Sequence, residues 1–351
     1  MAFLTVGKIF RSRTTARAAV LCVVAVHTSL GGAGVGKYAG EFISIGVGGR
    51  AMGLGGAYVA LANDVTAGYW NPAGLAQINY PQISLMHDER FGNLVNYDYG
   101  AVALPMGPSA SLGVGVIRLG VDGIPDTRNG AWVDQNNNGV PELNEIDYSK
   151  TTLFNAADWA LYFTYSRKQS EDFAYGVNLK LIRRELGDFS ATGIGFDIGI
   201  QYALTRDFML GANFQDITTT LVAWSTGTNE LISPTMKVGS AYFIEAFGGR
   251  FAPAFDIDVR FENRQYASNA HIGAVSLDMH GGLEFDFRNI VALRAGYSDI
   301  GSLNLGAGVH LPKFNIDYSF AKFDGANQLG NTHRISLTFT LEAEQFARGI
   351  E

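Results

Sequence analysis

Apolar and polar residues alternate along most of this chain, and few folds accept that pattern over such a length. Phe255, Ile257, Val259 and Phe261 alternate with Asp256, Asp258, Arg260 and Glu262. Phe314, Ile316, Tyr318 and Phe320 alternate with Asn315, Asp317 and Ser319, and Ile335, Leu337, Phe339 and Leu341 with Arg334, Ser336, Thr338 and Thr340. A repeat of two is the signature of a strand with one apolar and one polar face. Fourteen such segments occur, at 82–89, 95–105, 110–120, 157–167, 172–185, 191–204, 208–217, 234–246, 250–262, 277–286, 289–298, 302–311, 313–323 and 332–342. An even count lets a sheet close on itself with both ends on one side. Many segments run to ten residues or more, which suits a tilted membrane strand better than the roughly 5 to 6 residues common in soluble sheets.

The links alternate in length as well. Tight turns at 106–109, 168–171, 205–207, 247–249, 288 and 312 lie on one side, and the other side carries the long links 121–156, 218–233, 263–276 and 324–331. Short turns on one rim and long loops on the other characterise outer-membrane barrels. The polar face carries isolated charges at strand centres, where the inward face of a soluble sandwich would be apolar. The expected fold is therefore all-β: a 14-stranded antiparallel transmembrane β-barrel over 81–342, its apolar face on outer-membrane lipid and its polar face on a wet lumen. On that view Val259→Arg costs about 2–4 kcal/mol near the midplane, and Asp258→Arg on the lumen face is far milder. Trp159, Tyr165, Tyr202, Tyr242, Tyr297 and Tyr318 fall near strand ends, where aromatic girdles sit.

Residues 1–33 read as a signal peptide: Lys8, Arg11, Arg13 and Arg17, then the apolar run Ala18–Val26, then the small residues Gly31, Gly32 and Ala33. Losing those four basic residues takes the formal net charge from −7 to −11. The single cysteine, Cys22, leaves with the signal, so thiol chemistry is not expected in the mature chain. Beyond the first twenty residues there is no basic run, and nucleic acid is excluded as a partner. The final stretch, 343–351, is a charged tail.

Residues 34–80 do not alternate. They are small and glycine-rich, and they hold many of the chain's 43 glycines. A fourteen-strand ring is wider than the eight-strand size that side chains alone fill, so it calls for a plug or a ligand. This segment is the natural plug: its small residues, Gly53, Gly55, Gly56 and Gly74 among them, allow close packing on a lumen wall. Asn63 and Asp64 end its central run. In Asn71-Pro72-Ala73-Gly74 the asparagine is expected to bond its own backbone while Pro72 starts a short helix.

The run EFISIGVGGRAMGLGGAYVALANDVTAGYWNPAGLAQI at 41–78 resembles the PorV/PorQ family of outer-membrane proteins, itself similar to the FadL long-chain fatty-acid channels. The resemblance implies an N-terminal hatch ahead of fourteen strands, and a non-enzymatic partner or component of a protein secretion system, working with secreted cargo or secretion-machine proteins. Its alternative is a FadL-like channel for hydrophobic solutes such as long-chain fatty acids. A continuous apolar pocket separates the two, because greasy solutes need one. Many outer-membrane barrels end on a terminal aromatic, whereas here Phe339 is followed by Leu341 and the charged tail.

One loop specifies its chemistry position by position. Asp134-Gln135-Asn136-Asn137-Asn138-Gly139-Val140-Pro141-Glu142-Leu143-Asn144-Glu145 fits the calcium-loop template throughout: side-chain oxygens from Asp134, Asn136 and Asn138, a turn at Gly139, the Val140 carbonyl, Glu142, and Glu145 last. It is expected to hold one Ca2+ ion on the cell-surface side. Asp256, Asp258, Arg260, Glu284, Asp286 and Arg294 are expected to form a lumen hydrogen-bond network, with His280 and His310 beside them. No nucleophile, metal cage or cofactor motif joins these groups, so catalysis is not expected.

Overall fold

The computed structural model describes residues 40–92, 94–262, 268–298, 301–323 and 331–348. The signal peptide assigned to 1–33 and the first residues of the plug lie outside them. Among the described residues fourteen antiparallel strands close a ring: β1 (Gln82–Arg90), β2 (Val95–Met106), β3 (Ala110–Asp126), β4 (Thr152–Lys168), β5 (Phe173–Leu186), β6 (Phe189–Ala203), β7 (Phe208–Gln215, resuming at Thr220–Trp224), β8 (Asn229–Ile232, Thr235–Tyr242 and Ile244–Ala246), β9 (Gly249–Arg260), β10 (Val275–Phe287), β11 (Val291–Tyr297), β12 (Ser302–Leu311), β13 (Phe314–Phe323) and β14 (Thr332–Thr340). The first strand pairs with the last, from Gln82 opposite Thr340 to Glu89 opposite His333, so the sheet has no open edge.

The alternation lands on the expected faces. Leu85, Val114, Leu293 and Leu305 are about half exposed on the outside, while Asp256, Asp278 and Glu284 are 1–3% exposed on the inside. Two interruptions have local causes. Pro234 has no N–H for the ladder and splits β8. In β7, Asp216 and Thr219 adopt positive φ angles of 54° and 58°, and the strand re-registers on β6 beyond them.

Two long links are shorter than the alternation suggests. The loop assigned to 121–156 is an excursion of 127–151, because β3 continues to Asp126 and β4 begins at Thr152. A bulge between Val121 and Ile124, with Gly123 at φ 70°, shifts the side-chain phase there and hides the strand from a period-2 reading. The link at 218–233 is itself a hairpin, Thr220–Trp224 against Asn229–Ile232, turning at Gly227. A third link holds the short strand Ala270–Ile272, which folds onto the start of β10.

The lumen is not wet at its centre. The segment before β1 folds inside the ring as three short helices, α1 (Glu41–Ser44), α2 (Gly49–Gly53) and α3 (Ala67–Trp70), and a 3-10 turn, Pro72–Gln77. Its side chains Val47, Leu54, Tyr58, Val59 and Leu75 are among the largest fully buried groups of the protein. Tyr69 packs edge-on against Trp70 and against Tyr162 of the wall. Tyr69 Oη donates to the Ile43 carbonyl at 2.7 Å, and burial pushes its phenol well above the ordinary range, which keeps it a neutral donor.

Candidate functional site

The candidate site is the contact between hatch and wall. Short helices and turns leave backbone groups without intrahelical partners, and these must be satisfied where water is excluded. The polar face of the barrel supplies the partners. Asp256 Oδ2 accepts from the Tyr58 and Val59 amides at 2.7 and 2.8 Å. Asn178, Asn213 and Gln201 donate side-chain N–H to the carbonyls of Gly68, Trp70 and Ala62 at 2.7, 2.9 and 2.7 Å. Ser166 Oγ donates to Ala73, the Gly49 amide donates to Ser336 Oγ, and His280 Nδ1 lies 2.8 Å from the Gly55 carbonyl.

The Asn71 turn joins this lattice. Asn71 Oδ1 accepts from the Ala73 amide at 3.2 Å, and Pro72 occupies the first position of the 3-10 turn, where a missing N–H is harmless. Asn71 Nδ2 reaches both the Val59 carbonyl of the hatch and the Ile200 carbonyl of β6. One side chain thus folds the turn and fastens it to the wall.

A charged clamp holds the other end. Arg50 of α2 binds Glu284 of β10 through two N–H···O contacts of 2.9 Å. Glu284 also accepts from Arg294 at 2.7 Å, and Arg294 donates to Asp317 at 2.6 Å. Arg50 Nη1 donates to Asn63 Oδ1 at 2.8 Å, and Asp64 accepts from the Tyr58 hydroxyl at 2.8 Å and lies 3.7 Å from Arg50. Of the expected lumen network, Glu284 and Arg294 bond each other and their cluster extends into the hatch through Arg50. Asp258 is 1% exposed and paired with Lys237 and Arg260, so Asp258→Arg is no milder than a lipid-face charge: the change sets three cations together and strands Lys237.

Glycine makes the contact close. A Cβ at Gly296 would stand 2.1 Å from the Leu54 carbonyl carbon, and one at Gly176 2.4 Å from the carbonyl carbon of Pro72. At Gly199 it would meet Asn71 Oδ1 at 2.1 Å and at Gly211 the Val59 carbonyl oxygen at 2.5 Å. From the hatch side, a Cβ at Gly53 would stand 3.0 Å from the Gly306 Cα, and within the hatch itself one at Gly74 would stand 2.0 Å from the Ala62 carbonyl oxygen. Gly55 and Gly56 have φ of 66° and 86° beside Tyr297 and His280. The wall glycines give no local signal in sequence, since glycine in a strand reads only as weakness until its neighbour is known.

Several spaces adjoin the hatch. A 260 Å³ cavity above it is lined by Met52, Tyr69, Trp70, Arg90, Lys237 and Arg334 among others. A polar 570 Å³ vestibule reaches Arg50 and Glu284 on the side of the short turns. A third, of 10 Å³, lies between Val65, Leu75, Tyr99 and Tyr162 inside and Val102 and Val114, which face outward. Gly113 and Gly115, with the small side chains of Ala101 and Thr164, separate those faces there, and a 540 Å³ apolar depression on the outer surface shares Gly113, Val114 and Thr164.

The calcium-type loop keeps to itself, within the excursion 127–151. Asp134 accepts from the Asn138 and Gly139 amides at 3.2 and 2.8 Å, and Asn136 and Asn138 donate to Glu142 Oε1 at 3.3 and 3.2 Å. Gly139 has φ 71°, and Val140 is exposed. Glu145 is buried and already engaged, accepting from the Gln135 amide at 3.0 Å and from Trp132 Nε1 at 3.1 Å. Among the described residues no group of three or more Asp, Glu, His or Cys side chains is gathered as for a metal ion, and Glu145, expected as the last ligand, instead fixes the base of the loop.

The model of an uncharacterised protein family, UPF0164, matches residues 15–99. Among curated proteins none matches the chain. The fold is similar to that of the Ralstonia pickettii toluene transporter TbuX, with a TM-score of 0.57 at 14% identity over 84% of this chain and 98% of that one. The Pseudomonas putida toluene transporter TodX gives 0.57 at 13% over 84% and 96%, and a Pseudomonas aeruginosa FadL homologue 0.53 at 12% over 82% and 96%. At such identities the likeness is one of architecture, and the chain has the barrel fold of the FadL-type outer-membrane channels.

Proposed function

We propose that this protein is an outer-membrane channel for hydrophobic solutes, closed along its axis by the hatch, with its sideways path at Gly113–Gly115, where the wall is thin and apolar although its strand ladder runs unbroken. The observation that carries it is the apolar seam where Leu75, Tyr99 and Tyr162 inside the wall approach Val102 and Val114 outside it, with only glycines and the small side chains of Ala101 and Thr164 between. An apolar solute leaving through the wall stays out of water, whereas the axial route is lined by ion pairs it cannot solvate. The fold neighbours include transporters of toluene, which supports the same reading. A role beside secretion-machine proteins or secreted cargo rests on the resemblance at 41–78 alone and gains nothing from those neighbours.

Filling the seam tests the proposal. A Cβ at Gly115 would find only ordinary contacts, 3.6 Å from Tyr99 and 3.8 Å from Ala101. Gly115→Val is therefore expected to assemble normally and to reduce toluene uptake by cells about tenfold, the effect of roughly 1.4 kcal/mol on the path. Gly113→Leu, which presses on Leu75 at 2.7 Å, should reduce it further. Unchanged uptake by both variants would mean that solute does not pass here.

We also propose that the loop at 134–145 binds one Ca2+ through Asp134, Asn136, Asn138, the Val140 carbonyl and Glu142, with Glu145 buttressing the base. Three carboxylates repel one another in a long polar loop, and a cation offsets that repulsion while ordering the loop. Millimolar calcium is expected to protect the loop from protease in the unaltered protein and not in Asp134→Ala. Glu145→Gln should loosen the loop with or without calcium. Equal protection of the unaltered protein and Asp134→Ala would end the metal assignment.

A further inference from the structure

Beyond β14 the chain turns back along the rim that carries the short turns. The Leu341 amide donates to the Pro81 carbonyl at 2.9 Å, a 3-10 turn follows at Glu344–Phe346, and the Arg348 amide donates to the Asn79 carbonyl at 2.8 Å. The Arg348 side chain then reaches two parts of the protein at once. Nε and Nη2 donate to the Ile78 carbonyl at 3.0 and 2.7 Å, Nη1 donates to the Ala110 carbonyl at 3.0 Å, and Nη2 also donates to Ser111 Oγ at 2.7 Å. Most of the guanidinium's N–H donors are thus engaged, and its rigid planar fork holds the hatch exit and β3 at a fixed separation.

Those two parts flank the seam. Ile78 closes the hatch one turn beyond Leu75, and its amide donates to the Leu75 carbonyl at 3.4 Å. Ala110 begins β3, and the buried Ser111 shares that strand's inward face with Gly113 and Gly115. Leu75 rests on the wall at Gly113, where an added Cβ would lie 2.7 Å from its Cδ2. The neighbouring polar anchors of the hatch, Ser166 on the Ala73 carbonyl and Gln77 on Gln201, tie it to β4 and β6 rather than to β3. We propose that Arg348 is a positioning residue of the channel, a strap that ties the hatch exit to β3 and limits how far the seam can part. A hydrogen bond from a charged donor is stronger than a neutral one, so this tie outweighs the apolar contact of Leu75 with Gly113 in holding the two together. The effect on solutes rests on the channel reading, and the strap itself does not.

The test uses the full chain with its single cysteine removed by Cys22→Ser and one reporter introduced in the hatch, either Ala76→Cys near the strap or Ala51→Cys in α2. Both alanines are 1–2% exposed. In detergent micelles, maleimide labelling of the Ala76→Cys reporter is expected to run about tenfold faster when Arg348→Gln is added. Opening this end then no longer breaks charge-assisted hydrogen bonds, and labelling follows the open population. The Ala51→Cys reporter should label at an unchanged rate. In cells, Arg348→Gln is expected to raise the ratio of naphthalene to toluene uptake about fivefold, a readout that the amount of assembled protein does not move. Removing residues 343–351 should reproduce both effects, and should that deletion fail to assemble, Arg348→Gln decides alone. Unchanged labelling of the Ala76→Cys reporter overturns the strap. An equal rise at both reporters means general loosening and overturns it too. Faster labelling with an unchanged ratio, in a protein that takes up toluene, overturns the positioning of the seam. Uptake of neither solute by the unaltered protein is a failure of the channel reading, and the labelling comparison then upholds or overturns the strap by itself.

Discussion

Deleting residues 41–78 from a chain that still assembles is expected to turn a closed barrel into a conducting one. Fourteen strands enclose more space than wall side chains fill, and the hatch occupies the surplus. Its removal bares Asp256, Asn178, Asn213, Gln201 and Glu284, all of which bind the hatch through hydrogen bonds. Uncovered polar groups of this kind draw in water, and ions follow. Planar-bilayer recordings should show open steps for the deletion and none of that size for the intact protein. Equal conductance would mean that something other than this segment closes the lumen.

Gly296→Leu is expected to be the most damaging single substitution of the contact. The new Cβ would fall 2.1 Å from the Leu54 carbonyl carbon and 2.3 Å from the Gly55 amide nitrogen, and backbone on both sides leaves nothing to give way. Overpacking without relief costs about 3 kcal/mol. Gly281, three residues along β10 from Asp278, has nothing within 4 Å of its added Cβ, so Gly281→Ala is the matched control. Heat-modifiable mobility should survive in the control and be lost or shifted to lower temperature in Gly296→Leu. The same behaviour in both would show that the hatch does not press on β11.

Much of this architecture is legible in the sequence because it is periodic. Phe255 to Arg260 announce both strand and faces, and the chain obeys them even across Gly281-Gly282, where Met279 and Leu283 stay outside. The Asn71 turn is legible because it is local: the side chain, the proline and the amide it satisfies lie within three residues. What the alternation cannot tell is what a polar face looks upon. Asp258 reads as a lumen charge in water and is in fact buried against Lys237 and Arg260. Arg50 and Glu284 are 234 residues apart, and neither residue type announces the other. The wall glycines at 176, 199, 211 and 296 count in the composition, yet each matters only through the hatch atom it admits. The bulge near Gly123 hid the ends of β3 and β4 for a related reason, since one extra residue inverts the phase on which the reading depends.

The channel assignment is tested most directly by uptake measured in cells whose outer membrane lacks other channels for the two probes, toluene and a sugar of similar size. The intact protein should raise the uptake of toluene and leave the sugar unchanged, because the hatch closes the axis to polar solutes while the seam at Gly113–Gly115 serves apolar ones. A rise in sugar uptake with no change for toluene would contradict it.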